Sequence, residues 1–272
     1  MTTSTAAPAS ALTAPTAHGG IAAGLSDALT MIDRSIRLSR RNLDTLLVSI
    51  VLPVMIMLLF VFVFGGAIET GIDYVNYVVP GIVLLCTGYG ASNTAMAVTG
   101  DMTSGMIDRL RSLPIRSSAV LTGHVVASVA RNAVTTAIVI LVAVAVGFRP
   151  NASLGEWLPA GGLLLLYILG MSWLAAGIGV LARSVESASL FGFFMLFLPY
   201  LSSAFVPTHS MPAVLRAIGE NQPITPVIET VRGLLTGTPI GDAGWIALAW
   251  CGGLLVVGYA FATGAYVRRS RR

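Results

Sequence analysis

The sequence has little charge and no lysine. Only 10% of its 272 residues are charged, whereas soluble domains carry about 25% charged residues. All 16 basic residues are arginines. Because a Walker-A phosphate-binding loop requires a lysine, this chain has no standard P-loop of its own. These deficits exclude an ordinary soluble protein and a self-contained P-loop hydrolase.

Residues that carry catalytic or metal chemistry are also scarce. The two cysteines, Cys86 and Cys251, lie in separate apolar runs, which is typical of small buried side chains. The three histidines are His18, His124 and His209, and the sequence contains no HExxH, CxxC or Gly-x-Ser-x-Gly motif. We therefore predict no catalytic residue and no metal site in this chain.

Long apolar runs dominate what is present. Hydrophobic residues make up 55% of the chain, and the mean hydropathy is +0.83. A helix needs about 20 apolar residues to cross a bilayer, and six stretches approach or exceed this length. The sequence therefore predicts an all-α integral membrane protein with six transmembrane helices. The predicted spans are 46–64, 77–99, 120–146, 158–181, 190–206 and 245–267, the fifth being short.

The termini differ from the apolar body, for which we predict one transmembrane domain over 45–267. Residues 1–24 lack periodicity and are predicted to be a disordered tail. Residues 25–44 repeat apolar side chains at helical spacing, which predicts an N-terminal amphipathic helix in the headgroup layer or, alternatively, a solvated linker helix. Residues 268–272 are a short basic tail.

Arginine placement predicts the orientation. With the amino terminus inside, twelve arginines are cytoplasmic, and three are external: Arg149, Arg216 and Arg232. Arg131 is left near the cytoplasmic boundary of the third span. The positive-inside rule then places both termini in the cytoplasm, in agreement with an even number of spans.

The loop between spans two and three has its own helical pattern. Met102, Met106 and Leu110 recur at helical spacing, and Pro114 stops the helix. Such an amphipathic helix, lying across the cytoplasmic face, is suited to docking a partner protein. The alternative interpretation is a solvated helical hairpin tip.

A second structured loop covers residues 207–242 on the outer side. Pro212 and Pro226 begin two predicted helices, since proline is favoured in the first helical turn. The second helix has a strong apolar face, so we expect this outer re-entrant hairpin to enter the outer leaflet or to cover a cavity exit. Glu229 and Arg232 are three residues apart and can pair on one helix face.

Two separated segments carry a family resemblance. Residues 100–115 read GDMTSGMIDRLRSLPI, which resembles the cytoplasmic signature of type-2 ATP-binding-cassette (ABC-2) permeases, especially the daunorubicin-resistance branch. The outer segment agrees through SAFVP at 203–207, NQPITP at 221–226 and RGLL at 232–235. The resemblance covers roughly residues 28–267.

The resemblance implies a six-span export permease with a cytoplasmic coupling helix and a re-entrant outer hairpin. Two such permeases, identical or related, assemble with two copies of a separate nucleotide-binding ATPase. That partner binds ATP and Mg, so this chain itself is expected to bind no cofactor. The implied cargo is an amphipathic drug, antibiotic or lipid, moved outward across a bacterial cytoplasmic membrane. Membrane lipid is the expected surrounding, and nucleic acid is not a partner.

The resemblance also assigns roles to particular residues. The segment that transmits ATPase motion is predicted to include Asp101, Gly105, Met106, Asp108, Arg109, Leu110, Arg111 and Pro114. We expect the central faces of spans two and five to line the path. The candidate path residues are Asn93, Thr94, Phe194, Phe197 and Tyr200, each of which has plain helix packing as its alternative.

Two other functions stay open at this point. An ATP-independent secondary transporter or channel would use ionisable groups inside its spans. A membrane-embedded lipid-modifying enzyme would need a convergent acid–base set, for which His124 and His209 are the candidates.

Overall fold

The structure is a computed structural model that describes residues 43–105 and 117–270. Within these two ranges it contains eight α-helices and no β-strand. The predicted tail 1–24 and nearly all of the amphipathic helix 25–44 lie outside the described residues. The helices are α1 (Leu43–Leu59, continued by a π-helical turn, Phe60–Phe64), α2 (Tyr74–Thr103), α3 (Ser117–Val146), α4 (Leu154–Leu181), α5 (Val185–Phe197), α6 (Ala213–Glu220), α7 (Ile224–Thr236) and α8 (Ala243–Ser270).

Five of the described helices are long and apolar enough to cross a membrane, namely α1 with its π-helical turn, α2, α3, α4 and α8. The predicted fifth span, 190–206, differs. There α5 ends at Phe197 and continues only as a 3-10 turn over Leu198–Leu201. Pro199, the second residue of this turn, has no backbone N–H, and the Ser202 hydroxyl binds the Pro199 carbonyl, so the α-helical hydrogen-bond ladder does not continue. The last predicted span continues as helix into the basic tail, as far as Ser270.

The central helix is α2. In the most apolar 18-residue stretch of α2, 83% of the residues are buried, whereas the corresponding values are 17% for α1 and 22% for α8. It contacts α1, α3, α4, α5 and α7. Glycines permit these close approaches: a Cβ on Gly90 would lie 1.9 Å from Asn132 Oδ1 of α3. Small residues thus let neighbouring helices pack directly against the α2 backbone.

The bundle has two distinguishable ends. We call the end where α2 finishes and α3 begins the coupling end, because the predicted coupling segment lies between them. The opposite end, which carries α6 and α7, is the hairpin end. Both predicted hairpin helices are present, and α7 ends at Gly237, whose φ of 74° is left-handed. However, α7 is buried among α2, α4 and α8, so it is a core helix of this chain.

Arg131 is the fifteenth residue of the 30-residue helix α3. A helix of this length is about 45 Å long and exceeds a hydrocarbon core of about 30 Å. The predicted position of Arg131 near the cytoplasmic boundary therefore stays a prediction.

Candidate functional site

At the coupling end, an acid of α2 meets a histidine of α3. Asp101 Oδ2 lies 3.1 Å from His124 Nε2, and these side chains are 18% and 9% exposed, respectively. Asp101 stands in the last turn of α2 and His124 in the first third of α3. The contact therefore joins the two helices that flank residues 106–116. Of the predicted coupling residues, Asp101 is directly connected to the membrane bundle.

Gly105 follows α2 in a left-handed conformation, with φ at 71°. A side chain here would meet no atom of the described residues within 4 Å, and the left-handed backbone angle favours glycine. The other predicted coupling residues lie outside the described residues. They are Met106, Asp108, Arg109, Leu110, Arg111 and Pro114.

The coupling end also fastens α2 to α4. The Thr99 hydroxyl donates to the Gly179 carbonyl at 2.9 Å. A Cβ on Gly179 would lie 2.5 Å from the Ala95 carbonyl oxygen, so the two backbones touch here. Arg269 of α8 donates to the Ala182 carbonyl at 3.1 Å. These contacts connect α2, α4 and α8 near one face of the bundle.

A polar layer crosses the middle of the bundle. Arg131 Nη2 donates to Thr94 Oγ1 at 3.1 Å, which joins α3 to α2. Asn132 Nδ2 donates to the Ser128 carbonyl at 3.0 Å, and the Ser172 hydroxyl of α4 binds the Ser128 hydroxyl at 2.9 Å. An ionisable side chain inside a candidate membrane-spanning helix is expensive and usually marks a functional position. Sequence reasoning missed this layer because its contacts join residues that are about 40 positions apart in the chain.

Asn93 lies on a different face of α2 from Thr94. On one side of it, the Cys86 thiol contacts the Ser49 carbonyl of α1; on the other, Ser92 packs against Gly192 of α5. At 100° per residue, Asn93 falls between these contacts. Its side chain is buried, and Nδ2 has no hydrogen-bond partner among the described residues. Buried amides normally have partners, so this donor is available to a ligand.

The other path candidates do not gather around Asn93. Thr94 faces α3 through its bond to Arg131. Phe194, Phe197 and Tyr200 are 62%, 50% and 36% exposed, so they cover the outer surface of this chain. The five predicted path residues therefore occupy an interior face, an inter-helix contact and an external aromatic surface.

At the hairpin end, Arg232 is buried against α2. Its Nε donates to the Tyr77 carbonyl at 3.0 Å, and Nη2 donates to the Ser203 carbonyl at 2.6 Å. The guanidinium also lies 3.7 Å from the centre of the Tyr77 ring, a cation–π contact. Arg232 is therefore directed at carbonyls and an aromatic face, and not at the predicted partner Glu229. Periodicity alone could not locate these partners, since they are distant in sequence.

Further contacts hold the segment after α5 against the start of α2. The Tyr74 hydroxyl donates to the Phe205 carbonyl at 2.9 Å. A Cβ on Gly81 would lie 2.6 Å from Ala204 Cβ and 2.7 Å from its Cα. Of the predicted hairpin prolines, Pro226 is buried and Pro212 is exposed.

Glu229 lies on the partly exposed side of α7. Burial raises the pKa of its carboxyl, and the nearby Arg232 partly opposes this shift. The carboxyl thus gains a proton more readily in the folded protein than in water.

The histidines do not form a common site. His124 is at the coupling end, whereas His209 is in the 3-10 turn Thr208–Ser210 at the hairpin end. Among the described residues, no group of three or more His, Cys, Asp or Glu side chains could hold a metal ion. The acid–base set that a lipid-modifying enzyme would need is not assembled from these two histidines.

Comparison with known proteins identifies the family. Residues 27–236 match the ABC-2 type transporter family. The chain is 29% identical over 223 residues to the daunorubicin resistance ABC transporter permease protein DrrB1 of Streptomyces coeruleorubidus, covering 80% of this chain and 77% of that protein. It is 27% identical over 243 residues to the probable doxorubicin resistance ABC transporter permease protein DrrC of Mycobacterium tuberculosis, covering 87% of each.

These matches confirm the resemblance read from the two motifs. The matched range includes the coupling segment, the polar layer and the hairpin up to the end of α7. The five long apolar helices place such a chain in a membrane. The chain belongs to the ABC-2 type transporter family, whose members are membrane permease subunits and not themselves catalytic enzymes.

Proposed function

We propose that this chain is the membrane permease of an ATP-driven exporter that moves an amphipathic drug, antibiotic or lipid outward. Hydrolysis takes place on a separate nucleotide-binding subunit, which binds ATP and Mg. The observation that carries the proposal is the family match over residues 27–236, which includes the coupling segment and the hairpin. The names of the two relatives, both drug-resistance permeases, support the cargo class.

The coupling role is assigned to the segment between α2 and α3. Asp101 and Gly105 mark its start, and Met106, Leu110 and the charged residues Asp108, Arg109 and Arg111 contact the ATPase, with Pro114 ending the helix. A push on this segment reaches α3 through the Asp101–His124 contact.

The topology has both termini in the cytoplasm and the coupling end on the cytoplasmic side. Arg183 of the α4–α5 connection and the last turn of α8, with Arg268 and Arg269, lie at that end, as the positive-inside rule favours. In this arrangement α5 and the segment after it constitute the fifth crossing in chain order, in addition to the five long apolar helices.

The path runs along the α2 face that carries Asn93, between α1 and α5. A second permease, identical or related, closes this face, and the exposed aromatic residues of α5 turn toward it. The Asn93 amide then donates to an oxygen of the cargo.

Co-purification tests the ATPase partnership directly. The full chain, tagged at its carboxyl terminus, is extracted gently from its native membrane and analysed by mass spectrometry. We expect a P-loop ATPase in equal stoichiometry. A chain that purifies alone even after crosslinking would contradict the proposal.

Transport is measured in inside-out vesicles that contain the chain and this ATPase, with doxorubicin fluorescence as the readout. We expect uptake that requires Mg-ATP. Leu110→Asp should abolish uptake while leaving membrane insertion intact, and Leu110→Ile is the matched control. Uptake without ATP, or in vesicles lacking any ATPase, would instead establish the secondary transporter or channel.

A further inference from the structure

A groove opens beside the first half of α2, where its lining residues Val79, Pro80 and Val83 lie about 15 Å or more along the helix from Asn93. It has a volume of about 360 Å³ and lies between α3 and α4, with α2 and α7 as its floor. Ligand sites commonly occupy about 300–1,000 Å³ and are mostly apolar with a few placed polar groups. The groove is therefore large enough for a small organic molecule.

Small side chains form its rim. Ala133 and Ala137 of α3 and Gly161 of α4 are exposed there. A Cβ on Gly161 would meet no heavy atom within 4 Å. Because α3 and α4 are both membrane-spanning by length and composition, the opening faces hydrocarbon. A ligand would arrive from within the bilayer.

The groove contains one unsatisfied polar atom. Thr136 is only 7% exposed, and its Oγ1 has no hydrogen-bond partner among the described residues. Threonine hydroxyls in helices usually bind a carbonyl of the preceding turn, as neighbouring Thr135 does with Arg131. A hydroxyl left unpaired in an apolar site is costly, so a ligand oxygen would be stabilised there.

The depth of Thr136 in the membrane indicates which kind of molecule could bind in the groove. It lies ten residues, or about 15 Å, before the end of α3, so a hydrocarbon core of about 30 Å whose outer boundary coincides with that end has Thr136 near its middle. At that depth a phospholipid acyl chain offers only methylene groups, which cannot bind a hydroxyl. Of the groove-lining residues, all of which are described, none is charged.

We propose that this groove is a binding site for an uncharged, largely apolar molecule that enters from the bilayer and accepts a hydrogen bond from Thr136. The site is separate from the Asn93 face assigned to transport, and the proposal does not depend on an ATPase partner.

Benzophenone is a suitable probe because it is apolar, carries one ketone oxygen and crosslinks to nearby C–H groups on irradiation. The full chain is reconstituted in phosphatidylcholine nanodiscs, labelled over a range of benzophenone concentrations and mapped by mass spectrometry. We expect saturable adducts on the α3 and α4 residues that line the groove. Even, non-saturable labelling of all lipid-facing helices would overturn the proposal.

Three variants sharpen the test. Thr136→Val keeps the shape but removes the donor, so half-maximal labelling should need about fivefold more probe, the effect of one hydrogen bond. Gly161→Leu should fill the groove and abolish saturable labelling. Gly162→Leu is its matched control, since Gly162 also has open space but does not line the groove.

Each variant must retain the elution profile and melting temperature of the wild type. Equal labelling of Gly161→Leu and Gly162→Leu would show that the groove holds only acyl chains. A change in oligomeric state with Gly161→Leu alone would show that a second copy covers it. Either result overturns this proposal, while the exporter proposal is tested separately by ATP-dependent transport.

Discussion

The two ends of α2 are held in different ways. At the hairpin end, buried side chains reach backbone carbonyls far away in sequence: Tyr74 binds the carbonyl of Phe205, and Arg232 binds that of Tyr77. At the coupling end, α2 is joined to α3 by a contact between two side chains, the partly exposed Asp101 and the buried His124. The coupling end also has a backbone contact, between Ala95 of α2 and Gly179 of α4, so the difference between the two ends lies in how α2 meets α3.

This difference bears on where the protein can move. Arg232 makes two buried hydrogen bonds to carbonyls, and hydrogen bonds to a charged group contribute about 1.5–3 kcal/mol each, whereas Asp101 and His124 make a single contact. The α2–α3 contact at the coupling end is therefore easier to break than the hairpin contacts. Such an end is suited to transmitting a push from a partner, and the hairpin end is suited to resisting it.

The largest expected effect comes from removing Arg232. Arg232→Met keeps an unbranched chain but leaves the Ser203 carbonyl without its donor and removes the contact over Tyr77. We expect the free energy of unfolding to fall by about 3 kcal/mol, measured as a lower melting temperature in detergent. Arg216→Met, at an exposed arginine of the same hairpin, should change little. Equal melting temperatures for these two variants would contradict the difference between the ends.

Substitution of two glycines of α2, one near each end, tests how tightly each end of this helix is packed. A Cβ on Gly81 would meet the Ala204 backbone at 2.7 Å, whereas one on Gly100, near the coupling end, would meet nothing within 4 Å. Gly81→Ala should therefore destabilise the protein by about 1–3 kcal/mol. Gly100→Ala should stabilise it by roughly 0.5 kcal/mol, the helical preference for alanine. Both changes are measured as shifts in melting temperature. Shifts of the same sign in the two variants would contradict the proposed difference between the two ends of α2.

The sequence alone predicted much of this organisation. Long apolar runs and proline placement identified the five long helices and both hairpin helices, because these signals are local. The partners of Arg232 could not be predicted, since Tyr77 is 155 residues away. The groove beside Thr136 could not be predicted from the sequence either, because it forms where residues of four helices meet. The roles of Asn93 and of the coupling residues 106–114 stay predictions.

A smaller effect on stability, but a larger one on transport, is expected at the coupling end. Asp101→Asn and His124→Gln should each lower the free energy of unfolding by about 1 kcal/mol, the contribution of a single hydrogen bond. Under the proposed function, each should reduce ATP-driven doxorubicin uptake. A double-mutant cycle measures the interaction between Asp101 and His124 apart from the effect of each single substitution. If the two residues act together, the loss of uptake in the double variant will differ from the sum of the two single losses. Asp73→Asn, an exposed acid just before α2, is the control, and equal uptake in all variants would exclude a role for the contact.

The smallest effect concerns the pH dependence of the hairpin end. Burial raises the pKa of Glu229 above its ordinary value of 4.5, so folding favours the protonated carboxyl. Its contribution to stability is fully present below about pH 4.5 and is lost as the pH rises through the folded pKa. Glu229→Gln mimics the protonated form. The melting temperature of Glu229→Gln minus that of the wild type should therefore increase as the pH rises from 4.5 to 7. Glu220→Gln, at an exposed glutamate of the same hairpin, is the control. A constant difference between wild type and Glu229→Gln across this range would mean that the carboxyl is as well solvated in the folded protein as in water, which would contradict the burial argument.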